Sequence, residues 1–153
     1  DVHLMITNPE KYWESFYKAG ADLIVFHNEV LCDKKKLIEE IKKAGIKAGV
    51  SIKPKTSVDD ILEILPLIDV ILIMTVEPGF GGQSFMEDMV PKISSLRKII
   101  DDNRYNCLIE IDGGINDKTA KICVYAGADV LVSGSYIFAA QNPQQVLKGL
   151  KSI

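Results

Sequence analysis

LIEIDGGINDKTAKICVYAGADVLVSGS, residues 108–135, is the stretch that decides the fold. Two apolar runs, Leu108–Asp112 and Asp129–Ser133, flank Lys118–Ala126, which has the periodicity of a helix. A strand, a helix and a strand in alternation predict that the two strands lie parallel. Gly127 follows the helix, at a position where glycine adopts the left-handed conformation at little cost.

The same unit recurs along the chain. Further apolar runs rich in Val and Ile are Val2–Ile6, Asp22–His27, Lys47–Ile52 and Asp69–Met74. Segments with helical periodicity are Pro9–Ala19, Lys34–Ala44, Val58–Leu65, Met86–Ile100 and Pro143–Leu150. We therefore predict six βα units in strict alternation, as in a doubly wound sheet or a (β/α)8 barrel. Because a full barrel takes about 250 residues, we expect two more units before Asp1.

Composition narrows the class of protein. The chain has 153 residues, 47% of them hydrophobic, and a net charge of −3, which fits one domain over residues 1–153 and disfavours nucleic-acid binding through a basic surface. Its three cysteines are widely spaced and form no CxxC pair, as is typical of a reduced, cytoplasmic protein. No apolar run is long enough to cross a membrane, so we expect no membrane partner.

Glycine-rich segments follow the last three predicted strands. They are TVEPGFGGQSF (75–85), DGGIN (112–116) and SGSYIF (133–138). In parallel α/β folds the functional groups gather at the carboxyl ends of the strands, and glycine lets backbone amides approach a ligand closely. We therefore predict an anion site, most simply for phosphate, among the amides of Gly81, Gly82, Gly114, Gly134 and Ser135.

Two residues whose side chains can bind a metal ion, Asp112 and His3, lie at the ends of predicted strands. Asp112 precedes two glycines, and His3 ends the first strand, so together they suggest part of a divalent metal site. A turn cap for the aspartate and a core position for the histidine are the simpler alternatives. Glu110 has the same parity as Asp112 on its strand, and His27 and Glu29 share a face near another strand end. We expect these three to satisfy one another as buried polar groups.

Four motifs resemble the ribulose-phosphate 3-epimerase family: DVHLMI (1–6), IMTVEPGFGGQSF (73–85), EIDGGI (110–115) and GADVLVSGSYIF (127–138). The resemblance implies a (β/α)8 TIM barrel of the ribulose-phosphate-binding type, seen from its third to its eighth unit. It implies an isomerase of the pentose phosphate pathway that interconverts D-ribulose 5-phosphate and D-xylulose 5-phosphate through an enediolate. It also implies a homo-oligomer, either a dimer or a hexamer.

The resemblance further implies roles for single residues. His3 and Asp112 are expected to bind one divalent metal ion (zinc, iron, manganese or cobalt), and Asp112 to act as one of two acid/base aspartates. The expected substrate-binding residues are His3, Met5, Met74, Gly79, Phe80, Gly81, Gly82, Asp112, Gly113, Gly114, Gly134 and Ser135. The family's second metal-binding histidine, second aspartate and substrate-contacting serine are expected in the two preceding units.

Other functions share these features. Sister enzymes such as hexulose-phosphate synthase, hexulose-6-phosphate 3-epimerase and related decarboxylases use similar phosphate loops, but Asp and His at the strand ends favour the epimerase over a lysine-dependent decarboxylase. A non-catalytic alternative is an incomplete barrel that binds sugar phosphates or self-associates. For the six-stranded arc we also expect the inner faces of all six strands to be open to water.

Overall fold

A computed structural model describes residues 1–153. Its single sheet has six parallel strands that neighbour one another in chain order. The strands are β1 Val2–Leu4, β2 Leu23–His27, β3 Lys47–Ile52, β4 Val70–Met74, β5 Leu108–Asp112 and β6 Val130–Val132. The predicted parallel alternation is therefore confirmed, and the carboxyl ends of all strands lie at one rim of the sheet.

Helices connect most of the strands. They are α1 Pro9–Lys18, α2 Lys34–Lys43, α3 Val90–Asn103, α4 Asp117–Ala126, α5 Ser135–Phe138 and α6 Pro143–Lys151. The predicted helix at 58–65 is wrong, because two single 3-10 turns, Asp59–Ile61 and Leu65–Leu67, stand there instead. The start of this segment is capped as the sequence suggests, since Asp60 accepts from the Ser57 N–H and the Ser57 hydroxyl accepts from the Asp59 N–H. Beyond this cap the backbone bonds run only three residues back, and Pro66 has no N–H with which to extend a helix. None of the helices is long and apolar enough to cross a membrane.

The two faces of the sheet differ in what covers them. Outward-facing side chains such as Ile24, Phe26 and Ile71 join a buried cluster of 26 residues beneath the helices. The inner face carries a smaller apolar cluster of Val25, Leu72, Met74 and Val76. It also carries buried polar groups, namely His27, Ser51 and Glu110. Alternation along each strand therefore separates a structural face from a face that can hold chemistry.

The sheet is strongly curled. β1 and β5 are four positions apart in the strand order, which would place them about 19 Å apart in a flat sheet. Yet the His3 Nδ1 on β1 lies 3.9 Å from the Asp112 Oδ2 on β5. The expectation that all inner faces are open to water is wrong for the middle strands, because this curl packs Val25 and Leu72 together and buries them. The outer edges of β1 and β6 pair with no strand.

Glycine in the left-handed conformation follows three of the helices, as the sequence predicts for Gly127. Gly20, Gly45 and Gly127 have φ values of 102°, 87° and 110° after α1, α2 and α4. Their surroundings differ, however. A Cβ placed on Gly127 would lie 2.5 Å from the Arg97 Cγ, whereas a Cβ on Gly45 would meet no atom within 4 Å. Gly127 is thus required both by its backbone conformation and by the close approach of α3.

We expect Gly127→Ala to destabilise the fold more than Gly45→Ala. The left-handed conformation costs an L-residue about 1–2 kcal/mol, and this penalty applies at both sites. The clash with Arg97 adds to it at Gly127 alone. Urea unfolding followed by circular dichroism measures both free energies. Equal losses in the two variants would contradict the close contact between α3 and the end of α4.

Candidate functional site

A cleft of about 340 Å³ lies at the rim formed by the carboxyl ends of β4, β5 and β6. This volume is in the range typical of small-molecule sites, about 300–1,000 Å³. The cleft brings together every residue expected to bind substrate except His3: Met5, Met74, Gly79, Phe80, Gly81, Gly82, Asp112, Gly113, Gly114, Gly134 and Ser135. Val76, Pro78, Gln83, Ile115 and Val132 also line it, and the sequence did not single them out.

Thr75 ties the loop after β4 to the loop after β5. Its backbone N–H donates to the Asp112 carbonyl over 2.8 Å, and its hydroxyl donates to the Gly113 carbonyl over 2.7 Å. The two loops then lie in direct contact, because a Cβ on Gly114 would come within 2.4 Å of the Phe85 backbone N. Gly114 also has a φ of 64°. Thr75 was not predicted, since a lone threonine at a strand end carries no signal of its own.

Gln83 braces the glycine loop from within. Its side-chain amide donates to the Glu77 carbonyl over 2.6 Å and to the Phe80 carbonyl over 2.9 Å. Both carbonyls are thereby held against Gln83. The sequence signal for this contact was a single glutamine in a loop otherwise made of glycine, proline and phenylalanine.

Unused backbone donors gather at the cleft. None of the N–H groups expected to hold an anion donates to a backbone carbonyl in the structure: Gly81, Gly82, Gly114, Gly134 and Ser135. Amides left without a protein partner beside a cleft suit an anion with several oxygens, such as a phosphate group. A protein with a net charge of −3 can bind such a group in this way without a cluster of lysines.

Burial changes the acidity of the groups beside the cleft. Burial raises the pKa of Asp112. Burial, and secondarily the charge of Asp112, raises the pKa of Glu110 to about 7. Burial also lowers the pKa of His3 to about 4, with a further contribution from His27. His3 is therefore a neutral imidazole at neutral pH, and it faces a carboxylate that burial has made more basic than usual.

His3 and Asp112 are suitable as two ligands of one divalent ion. Two donors on the same ion lie at most about 4 Å apart when each bond is about 2 Å long. The His3 Nδ1 and the Asp112 Oδ2 are 3.9 Å apart, and imidazole nitrogen with carboxylate oxygen suits zinc, iron, manganese or cobalt. No group of three or more His, Cys, Asp and Glu residues in this chain is arranged to hold a metal ion. These two residues therefore fit as part of a ligand set.

A polar chain continues behind His3. The His3 Nε2 is 3.0 Å from the His27 Nε2, and the His27 Nδ1 is 3.2 Å from the Glu29 Oε2. The Lys53 N–H donates over 3.0 Å to the Glu29 Oε1, which also accepts from the Thr56 hydroxyl. Burial alone would raise the pKa of Glu29, but hydrogen bonds from His27, Thr56 and Lys53 lower it to about 2. The expectation of mutual satisfaction is thus confirmed for His27 and Glu29, but their connection to His3 was not predicted. It is wrong for Glu110, whose Oε2 is buried without a hydrogen-bond partner.

Similar proteins point to one family. A model of the ribulose-phosphate 3 epimerase family matches residues 1–138. The chain belongs to the ribulose-phosphate 3-epimerase family. The ribulose-phosphate 3-epimerase of Candida glabrata is 44% identical over 151 residues, covering 99% of this chain and 60% of that protein. The one from Chlamydia muridarum is 45% identical over 140 residues, covering 90% of this chain and 61% of that protein.

The fold is shared more widely than the family. A solved structure of 3-hexulose-6-phosphate synthase matches with a TM-score of 0.70 at 19% identity, covering 97% of this chain and 69% of that chain. At this identity the likeness shows the fold alone. The match confirms the predicted (β/α)8-type barrel fold. This chain contributes a curled sheet of six parallel strands to it.

We expect Gly114→Ala to weaken phosphate binding at the cleft by at least about tenfold, or about 1.4 kcal/mol. The added Cβ cannot lie 2.4 Å from the Phe85 backbone N, so the two loops must separate and their amides must diverge. An NMR titration with inorganic phosphate measures this affinity.

Gly149→Ala is the control, because a Cβ there meets no atom within 4 Å and Gly149 lies in α6, outside the cleft. We expect it to retain most of the affinity. Equal affinities in the Gly114→Ala variant and the unaltered protein would rule out these loops as the anion site.

Proposed function

We propose that this protein is a ribulose-phosphate 3-epimerase, an isomerase that interconverts D-ribulose 5-phosphate and D-xylulose 5-phosphate by proton transfer at C3. Family membership supports the reaction, although the chain covers 60% of the length of the relative from Candida glabrata. The observation that carries the proposal is the position of Asp112. It ends β5 beside His3 and lines the same cleft as the glycine loops.

The proposed roles divide the cleft into two regions. Backbone amides at 79–82, 113–114 and 134–135 hold the phosphate, and the Phe80 side chain lines the cleft beside them. The sugar's reactive end then points towards β1 and β5. Met5 and Met74 line the cleft beside the reacting carbons. Their side chains neither donate nor accept protons, so they shield the developing negative charge from water. Binding energy from the remote phosphate then serves orientation at C3.

Asp112 is the proposed acid/base residue on one face of C3. Because burial raises its pKa, its carboxylate is a better base than one in water. Inversion at C3 also needs a proton donor on the opposite face. Glu110 is buried within the sheet and does not line the cleft, so it does not supply that donor. By the family resemblance, the opposite-face group is an aspartate in a unit preceding Asp1.

His3 and Asp112 are proposed to hold one divalent ion, whose identity among zinc, iron, manganese and cobalt is left open. When bound, such an ion would polarise the C2 carbonyl and lower the energy barrier to removal of the proton at C3. The distance of 3.9 Å between the two donor atoms supports this assignment. We also propose a cytoplasmic homo-oligomer, a dimer or a hexamer, in keeping with the family resemblance.

In the full-length protein, which includes the opposite-face aspartate, we expect Asp112→Asn to lower kcat by at least about 10²–10⁴-fold while the fold is retained. The amide keeps the shape of the side chain but cannot take the C3 proton, and it is a poorer metal ligand. The conversion of D-ribulose 5-phosphate, followed in a coupled assay, measures kcat. Asp59→Asn is the control, since Asp59 is exposed in a 3-10 turn away from the cleft. A variant at Asp112 with the kcat of this control would remove Asp112 from the mechanism.

A further inference from the structure

Four side chains form a continuous line from the surface of the sheet to the cleft. The line runs from Glu29 through His27 and His3 to Asp112, with successive atom pairs 3.2, 3.0 and 3.9 Å apart. His27 is buried, and its side chain is 7% exposed. Both ring nitrogens of each histidine face a polar atom in this line, so the position of one proton determines the positions of the others.

Glu29 determines which atoms donate and which accept along this line. Its Oε1 accepts from the Lys53 N–H and from the Thr56 hydroxyl, so this end of the carboxylate is occupied by donors. The other oxygen, Oε2, faces the His27 Nδ1. An ionised carboxylate only accepts hydrogen bonds. The His27 Nδ1 must therefore carry a proton and donate it to Glu29.

The remaining protons follow from that assignment. A neutral His27 with its proton on Nδ1 presents a lone pair at Nε2. The His3 Nε2 is 3.0 Å from the His27 Nε2 that carries this lone pair, so the His3 Nε2 must carry a proton and donate it. The His3 Nδ1 is then left with a lone pair directed at Asp112. Two acceptors, a ring nitrogen and a carboxylate oxygen, face each other over 3.9 Å with no proton between them.

We propose that His27 and Glu29 are positioning residues that hold His3 in the tautomer whose Nδ1 lone pair faces Asp112, ready for a divalent cation. The proposal rests on the metal-dependent function proposed above. A metal-binding histidine commonly donates its second ring N–H to a partner that fixes its orientation and tautomer. Here that partner is a second histidine, which is itself oriented by a carboxylate.

The far end of the line is anchored by the loop after β3. The Lys92 Nζ donates to the carbonyls of Lys53, Pro54 and Thr56 over 3.3, 2.6 and 2.8 Å. This loop contains both groups that donate to the Glu29 Oε1. α3 thereby fixes the loop, and the loop fixes which oxygen of Glu29 is free to accept from His27.

Glu29→Gln is the informative change because it reverses the donor and acceptor roles along the line of hydrogen bonds while the side chain keeps its shape. The amide oxygen must take the position that accepts from Lys53 and Thr56, so the amide nitrogen must face the His27 Nδ1 and donate to it. His27 then carries its proton on Nε2 and donates to His3. His3 in turn carries its proton on Nδ1, which points at Asp112 and removes the lone pair that a cation would need.

The first measurement reads the tautomers directly. Long-range ¹H–¹⁵N correlation spectra of the metal-free protein distinguish a protonated from an unprotonated ring nitrogen, and His27→Gln assigns the signals of the two histidines in this chain. We expect His3 to be protonated at Nε2 in the unaltered protein and at Nδ1 in Glu29→Gln. A His3 proton on Nδ1 in the unaltered protein would overturn the proposal, whatever the enzymatic activity.

The second measurement is metal affinity, by calorimetric titration with Co²⁺. Loss of such an orienting partner typically weakens metal binding by about 10–100-fold, and we expect this for Glu29→Gln. Thr56→Val is the matched control, since it removes one donor to Glu29 but leaves the carboxylate and the Lys53 N–H in place. We expect it to keep the native tautomer and to bind Co²⁺ within about threefold of the unaltered protein, or about 0.7 kcal/mol.

The outcomes separate this proposal from the proposed function. Unchanged Co²⁺ affinity and an unchanged His3 tautomer in Glu29→Gln would refute the positioning role even if the protein is an epimerase. The reversed tautomer with lost Co²⁺ affinity would support the role even in a protein that turns over no sugar phosphate. Near-ultraviolet circular dichroism and thermal unfolding of each variant show whether it keeps the fold. If Thr56→Val binds Co²⁺ as weakly as Glu29→Gln does, the lost affinity reflects lost packing, and the proposal is overturned.

Discussion

The parallel register of the six strands is the constraint on which the candidate site depends. Pairing of Met74 with Asp112, and of Asp112 with Val132, places the carboxylate at the rim and on the inner face. Side chains alternate along a strand, so a slip of one residue in β5 would turn Ile111 inward and place Asp112 under the helices. The outer core, where Ile109 and Ile111 are fully buried, strongly opposes such a slip.

Curl of the sheet converts this register into a site. It brings β1 to within side-chain reach of β5, which no local interaction along the chain can do. It also buries the inner face, and this burial acts differently on each group. The pKa of Asp112 rises and that of His3 falls, because both are deprived of water. Burial alone would raise the pKa of Glu29, but hydrogen bonds, among them those from His27, Thr56 and Lys53, outweigh it and lower the pKa to about 2.

Sequence patterns predicted the elements well and their lateral contacts poorly. The alternation of units and the glycines after α1, α2 and α4 follow from local conformational preference, which a short segment contains in full. The helix predicted at 58–65 does not form because Pro66 directly follows it and has no N–H to extend a helix, whereas periodicity reports only the spacing of apolar residues. The line from Glu29 to Asp112 joins the end of β2 to β1 and to β5, three strands whose linked residues are distant in sequence. Its geometry depends on curl, and curl depends on how the whole inner face packs.

The central claim is that the protein moves a proton at C3 of a pentulose 5-phosphate, using a carboxylate at the rim of the barrel. The most direct test is turnover of D-ribulose 5-phosphate in D₂O by the protein in a form that includes the opposite-face aspartate, with the product examined by ¹H NMR. We predict D-xylulose 5-phosphate with deuterium at C3, because the proton returned to the opposite face comes from a group that exchanges with solvent. Product that retains the original hydrogen at C3, or deuterium found at another carbon, would contradict this account.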